Sequence, residues 1–228
     1  FVDPAWETAL DARARPLPLA NPLASQLSAM RTTLWGGLLE TLRHNLNRQQ
    51  TRVRIFELGR VYRSQSEQPM KLGGLAYGDV LPEQWGAAAR RVDFFDLKGD
   101  LERLFGHALE SRPGMHPALH PGQSAEVWAD GRAIGWIGAL HPRLVQEFDL
   151  PAAPVLFELD SQVVAQRRLP RHATLSRFPL VRRDLAFLLD AHTPAGELLG
   201  VLRDAASGGV RSIDVFDDYR GKGVAENQ

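Results

Sequence analysis

Cysteine is absent from the 228 residues, which excludes disulfides, thiolate metal centres and cysteine nucleophiles. An excess of either charge is missing too, since 27 Lys and Arg balance 27 Asp and Glu. No global field therefore selects a nucleic acid or a membrane surface, although a local basic patch is still allowed. No apolar run reaches the roughly 18 residues that a bilayer-spanning helix requires. The opening Phe1-Val-Asp-Pro-Ala-Trp-Glu lacks a basic-then-apolar leader pattern. It reads as the interior of a longer, cytoplasmic chain. The length suits one large domain or two ordinary ones.

What is present alternates between helical and strand periodicity. The proline-rich stretch from Arg15 to Leu23 cannot be regular structure, because each proline removes a donor and restricts its predecessor. Leu34, Leu38, Leu39, Leu42 and Leu46 then recur at helical spacing, with Thr32 or Thr33 as the cap. Gly36 and Gly37 weaken the first turn of that helix by about 1 kcal/mol each, which points to close packing against another backbone. Strand patterns cover Val53–Tyr62 and Lys71–Gly78. Asp93 opens a helix whose apolar face carries Phe94, Leu97, Leu101, Leu104 and Phe105. Asp130-Gly131 supplies the positive φ angles of a tight hairpin turn between Glu126–Ala129 and Ala133–Ile137. A short helix near Pro142–Phe148 and a strand at Val155–Leu159 follow. Hairpin-like neighbours predict an α+β fold with an antiparallel sheet.

Around Arg167–Phe178 the chain becomes polar and basic and reads as a linker. Beyond it come a strand at Arg183–Asp190, a helix with Thr193 as cap and Leu198, Leu199 and Leu202 as its core side, and a strand from Val210 to Tyr219. One βαβ unit cannot bury its own sheet, so the second domain looks incomplete.

Few residues form a chemical constellation. His116, His120 and His141 with Glu126 could be arranged as metal ligands, but Pro117 and Pro121 forbid the helix that would align the first two; hydrogen-bonded histidines explain them as well. Gly221-Lys222-Gly223 lacks the phosphate-loop frame, and no G-x-S-x-G elbow occurs. Asp96 and Asp100 lie one helical turn apart and fit a solvated helix face. Between Arg31 and Arg63 seven arginines stand against Glu40 and Glu57. Such density suits RNA or an acidic partner, or the charged side of a half-buried sheet.

Ordered motifs carry more information. Asn21-Pro-Leu-Ala-Ser, Met30-Arg-Thr-Thr-Leu-Trp-Gly-Gly-Leu-Leu, Asn45-Leu-Asn-Arg-Gln, Arg54-Ile-Phe-Glu-Leu-Gly and Asp93-Phe-Phe-Asp-Leu-Lys-Gly-Asp-Leu-Glu follow one another. After them come Ala118-Leu-His-Pro-Gly-Gln-Ser-Ala, Gly138-Ala-Leu-His-Pro, Ser176-Arg-Phe-Pro, Arg183-Asp-Leu-Ala and Phe216-Asp-Asp-Tyr-Arg-Gly-Lys-Gly-Val. Across nearly its whole length the chain resembles the bacterial phenylalanyl-tRNA synthetase beta-subunit family.

That resemblance implies a fold. Residues 1–170 would be an antiparallel sheet with helices like a class II aminoacyl-tRNA synthetase catalytic domain, with the chemistry lost. Residues 174–228 would be the first portion of a ferredoxin-like anticodon-binding domain, whose two further strands and second helix would start where this chain ends. It also implies an α2β2 heterotetramer in which the alpha subunit performs the ATP-dependent aminoacylation. The fragment itself would hold no cofactor, while ATP and Mg2+ are used by the whole enzyme. The family's editing site and magnesium-binding carboxylates would lie upstream of Phe1. A working class II site needs a second arginine after a G-x-G-x-G-x-E-R run, and Gly135–Leu140 continues into His141-Pro142-Arg143 instead. Arg54 and Glu57 echo only the strand that carries the first.

The helix Leu34–Leu46 would lie near the alpha-subunit interface or form plain core. For tRNA(Phe), the resemblance transfers to a sheet face bearing Ala186, Asp217 and Tyr219. Period-two alternation places Asp217 and Tyr219 on one side, opposite Phe216, while Leu185, Phe187 and Leu189 point to the helix-covered side. Tyr219 could stack on an unpaired base, Asp217 accept from a guanine edge, and Arg220 and Lys222 contact phosphate. A stand-alone RNA-binding module and an independently active enzyme are the competing readings.

Overall fold

Six strands pair through their backbones into one antiparallel sheet. The computed structural model describes residues 1–106, 108–165, 177–206, 208–219, 221 and 223. The chain divides into two units, Phe1–Leu169 and Pro170–Gln228. In the first, β1 (Val53–Arg60), β2 (Met70–Tyr77), β3 (Glu110–Pro113), β4 (Leu119–Ala129), β5 (Arg132–Leu140) and β6 (Val155–Asp160) form an antiparallel sheet of order β1-β2-β6-β5-β4-β3. The α+β expectation is met. The turn joining β4 and β5 uses Asp130 at φ 48° and Gly131 at φ 75°.

Each face of the sheet buries its own apolar layer. On one side Leu75, Tyr77 and Leu156 pack with α2 (Trp35–Leu46) and with Leu144 of α4 (Pro142–Glu147). On the other, Leu72, Ala76, Val155, Phe157 and Leu159 meet Leu97, Leu101 and Phe105 of α3 (Phe94–Phe105). The β4–β5 register shifts twice, between Leu119 and Ser124 and between Val127 and Trp128. Ile134 and Ile137 share the α3 side, and the second shift lies opposite Gly135.

The start of α3 follows from its sequence. Asp93 accepts from the amides of Phe95 (2.9 Å) and Asp96 (3.1 Å), and Asp96 accepts from the Asp93 amide at 3.0 Å, a complete capping box. Gly106 closes the helix at φ 77°. Leu104, expected on the apolar face, is exposed instead; it lies about 300° around the helix from Leu101, at the rim of the buried stripe.

One other expectation needs correction, and two elements are additions. Gly36 and Gly37 do not admit a backbone: a Cβ on Gly36 would sit 3.4 Å from Glu7 Oε1 and one on Gly37 would sit 4.0 Å from Glu57 Oε2, so side-chain carboxylates occupy that space. The helix α1 (Pro4–Leu10), capped by Asp3, is an element that the sequence reading does not include. The edge strand β3 was also missed, because Glu110-Ser-Arg-Pro has no apolar alternation.

In the second unit, a helix Ala195–Ala205 is present, with Leu198, Leu199 and Leu202 half-buried. Its N-cap is Pro194, so Thr193 does not cap it. Among the described residues no ladder joins Arg183–Asp190 to Val210–Tyr219, and neither segment forms a strand. A strand is stabilised by its neighbour's backbone groups, and alternation alone does not supply one. Leu185 and Phe187 are accordingly exposed rather than covered by the helix. The linker expected at Arg167–Phe178 lies, up to residue 176, outside the described residues.

Candidate functional site

The start of α2 is held by two carboxylates from distant parts of the chain. Glu158 interrupts the apolar run Val155-Leu-Phe-Glu-Leu of β6, which ends at Asp160. Its Oε2 accepts from the Leu34 amide at 2.6 Å and from the Thr33 hydroxyl at 2.8 Å. Thr33 Oγ1 in turn accepts from the Trp35 amide at 3.2 Å, but the N-cap of α2 is Leu34 and carries no side-chain cap bond, so neither threonine caps the helix and Glu158 of β6 receives the Leu34 amide instead. Glu7, with 1% of its surface exposed, accepts from the Thr32 amide at 2.6 Å and from the Thr32 hydroxyl. Glu7 Oε1 has no hydrogen-bond partner. Burial pushes both carboxyls above the ordinary glutamate range, against the pull of these hydrogen bonds.

These residues line a cleft of about 720 Å3 over the α2 side of the sheet. Trp35, Trp136 and His116 form an aromatic wall, with His116 4.9 Å from the Trp35 ring and 5.4 Å from Trp136. Trp35 Nε1 donates to the Phe157 carbonyl at 3.0 Å. Burial lowers the His116 pKa to about 4. Its Nδ1 accepts from the Ala118 amide at 3.2 Å, so the ring proton sits on Nε2. His120 and His141 use Nδ1 in the same way, toward Gly122 and Arg143 amides, each at 3.0 Å. Each of the three thus spends one ring nitrogen on its own turn.

The cations of the cleft are engaged locally. Arg13 is bound through Nε and Nη2 to Asp11 (3.1 and 3.2 Å), Arg15 donates to the Ala12 and Ala14 carbonyls, and Arg63 pairs with Glu67 at 2.8 Å. Lys71 lies in the electrostatic reach of Glu158. Arg54 faces away from the cleft, to Asp100 of α3 at 2.6 Å. The seven arginines between positions 31 and 63 all have partners inside the chain. Arg31 meets Glu57, Arg43 the Trp6 ring, Arg48 the His44 carbonyl, and Arg52 the carbonyls of Asp79 and Val80. Arg60 meets the Gln68 carbonyl. Only Arg54 and Arg60 of the seven lie on a sheet strand, so the charged-sheet reading covers part of that stretch.

Glu158 also gives a pH prediction. A carboxyl whose folded pKa lies above its unfolded value of about 4.5 adds most stability below that value and loses it as pH rises through the folded pKa. Glu158→Gln removes this loss. The melting-temperature difference between variant and wild type is expected to grow in the variant's favour from pH 4 to pH 8. A difference that stays flat over that range sinks the assignment.

In the second unit Ala186, Asp217 and Tyr219 are all exposed. No hydrogen bond or ring contact brings Ala186 to the other two among the described residues. Arg182 lies 5.3 Å over the Phe216 ring, so the residue before Arg183 reaches the Val210–Tyr219 segment. Arg220 and Lys222 lie outside the described residues. Sequence reasoning missed Glu7, Glu158, Trp136 and Trp35 as a cluster. An acid interrupting an apolar run is the one signal that could have found Glu158.

Comparison with known proteins gives two family matches. Residues 1–161 match the phenylalanyl tRNA synthetase beta chain CLM domain, and residues 176–228 match the ferredoxin-fold anticodon binding domain. The chain is 74% identical over its full length to the phenylalanine–tRNA ligase beta subunit of Thiobacillus denitrificans, of which it covers 29%. It is 48% identical, again over its full length, to that of Dechloromonas aromatica, covering 30% of it. With the Burkholderia lata protein of the same name it shares 47% identity over 97% of the chain, covering 30%. The chain therefore spans about 30% of the length of these relatives.

Proposed function

Because the chain belongs to the phenylalanyl-tRNA synthetase beta-chain family, whose CLM domain it matches over residues 1–161, we propose that it is a non-catalytic part of a phenylalanine–tRNA ligase. In this reading residues 1–170 derive from a class II synthetase catalytic fold and serve assembly with an alpha subunit in an α2β2 heterotetramer. The alpha subunit carries out the ATP- and Mg2+-dependent aminoacylation. Residues 174–228 start the domain that meets the tRNA(Phe) anticodon. The setting is cytoplasmic, and among the described residues no helix is long and apolar enough to cross a membrane.

One observation carries the non-catalytic half. A triphosphate needs converging unpaired guanidiniums, whereas Arg13, Arg15 and Arg63 in the cleft are tied to neighbouring groups and Arg54 points to Asp100. The chain is expected to show no ATP–pyrophosphate exchange with phenylalanine, while co-purifying with the alpha subunit. Exchange above background in the purified chain would reject the inactive reading.

For RNA, Tyr219 and Asp217 are exposed and Tyr219 can stack on an unpaired base. Replacing it by alanine is expected to weaken binding of an anticodon hairpin by about 5- to 150-fold, corresponding to roughly 1–3 kcal/mol, in a salt-dependent titration. Equal affinity of variant and wild type removes the tyrosine from the interface.

A further inference from the structure

Between β2 and α3 the chain leaves the sheet as an irregular arm, residues 78–92, closed at its base by an isolated antiparallel bridge between Asp79 and Arg91. Its base is fixed. Val80 donates to the Arg90 carbonyl at 3.0 Å and Val92 to the Gly78 carbonyl at 2.9 Å. From β1's approach, Arg52 donates through Nε and Nη2 to the Asp79 and Val80 carbonyls, both at 3.0 Å. Gly78 has φ +88°, and a Cβ there would strike the Thr51 carbonyl oxygen and come within 2.9 Å of Arg52 Cα. On this stem residues 81–90 are all exposed. Trp85 presents its whole side chain to solvent, with Leu81 also exposed. Ala87, Ala88 and Ala89 continue the apolar surface. A large aromatic held out on a braced stem marks a contact surface rather than core.

We propose that this arm is an assembly anchor, inserting Trp85 into an apolar socket of the alpha subunit. The inference rests on the partner reading above and names the element that makes the contact. Of the two partners in that reading, the chemistry of the arm selects the protein. An RNA-stacking aromatic works beside cations that track the phosphates. Here Arg90 is held by both oxygens of Asp96, at 2.7 and 2.6 Å, and Arg91 lies 3.6 Å from Asp79. The tip from Leu81 to Ala89 carries a single formal charge, on Glu83. A neutral-to-acidic apolar tip disfavours phosphate. It fits a protein pocket, where tryptophan is among the residues that carry most binding energy. The braced stem also lowers the ordering cost of docking.

Purified alpha subunit titrated into the 228-residue chain tests this, with Trp85→Ala and Trp85→Phe as variants. Trp85 is fully exposed, so Trp85→Ala is expected to melt at the wild-type temperature. Its affinity for the alpha subunit should fall by at least tenfold, with Trp85→Phe in between. The part of the tryptophan emission that disappears in Trp85→Ala should shift to the blue when the wild type binds. A wild type that binds the alpha subunit no more tightly than Trp85→Ala overturns the anchor and leaves the assembly reading standing. A wild type that does not bind the alpha subunit at all overturns both. Loss of anticodon-hairpin binding, or loss of self-association in sedimentation, with alpha binding unchanged, would instead assign the arm to RNA or to a second copy of this chain.

Discussion

Gly135→Ala is expected to destabilise the first unit by about 3 kcal/mol or more, enough to unfold a domain of ordinary marginal stability. Gly135 has φ +154° and pairs with Leu159 across the β5–β6 ladder. A Cβ at this position would be driven into the Glu158 carbonyl oxygen, with the Glu158 carbonyl carbon and Leu159 Cα each at 2.9 Å. Both obstacles are backbone of a central strand, so no side chain can rotate away. The ladder must open, and the carboxylate that holds the start of α2 moves with it. Gly99→Ala is the internal control. It lies inside α3 with nothing within 4 Å of its would-be Cβ, so alanine there should stabilise by up to about 1 kcal/mol through helix propensity. Urea denaturation of the two variants should thus show shifts of opposite sign. Similar shifts in the same direction would mean that the close approach at Gly135 is relieved by rearrangement.

The second large effect is acid sensitivity centred on His116. Burial holds its folded pKa near 4, below the ordinary 6.5. A histidine with a depressed folded pKa contributes stability that is complete above 6.5 and is lost as pH falls toward 4, because only the unfolded chain takes up the proton in that window. The full span corresponds to an upper bound of about 3 kcal/mol. Protonation at Nδ1 would also remove the acceptor for the Ala118 amide and place a charge between Trp35 and Trp136. His116→Asn keeps a short acceptor for that amide and cannot titrate. Its unfolding free energy should be nearly independent of pH between 6.5 and 4 in this component, while the wild type weakens. Opposing trends come from Glu7 and Glu158, whose raised carboxyls lose stability as pH increases. The comparison must therefore be the difference between variant and wild type at each pH. An identical pH profile for the two would remove His116 as the source.

The histidine and glycine predictions could not have been made from sequence. Asp93 through Gly106 were legible as a helix because the cap, the apolar spacing and the terminal glycine are all local. The Asp130-Gly131 turn was legible for the same reason, since two residues and their φ angles define it. Local signals failed where the stabilising partner is remote. Glu158 lies 124 positions from the amide it caps, and the Arg54–Asp100 pair that turns a motif arginine away from the cleft joins residues 46 apart.

Likewise, alternation in Arg183–Asp190 and Val210–Tyr219 predicts strands, but a ladder requires another backbone and none joins them among the described residues. The amino-acid order by itself determined the family, the antiparallel α+β character and most element positions. These follow from short-range periodicity and from motifs that need no folding to be read. Only the tertiary structure decided which charges are spent, which histidine is kept neutral and which tryptophan is left in water. Desolvation and hydrogen-bond satisfaction are properties of surroundings that the chain assembles from distant segments.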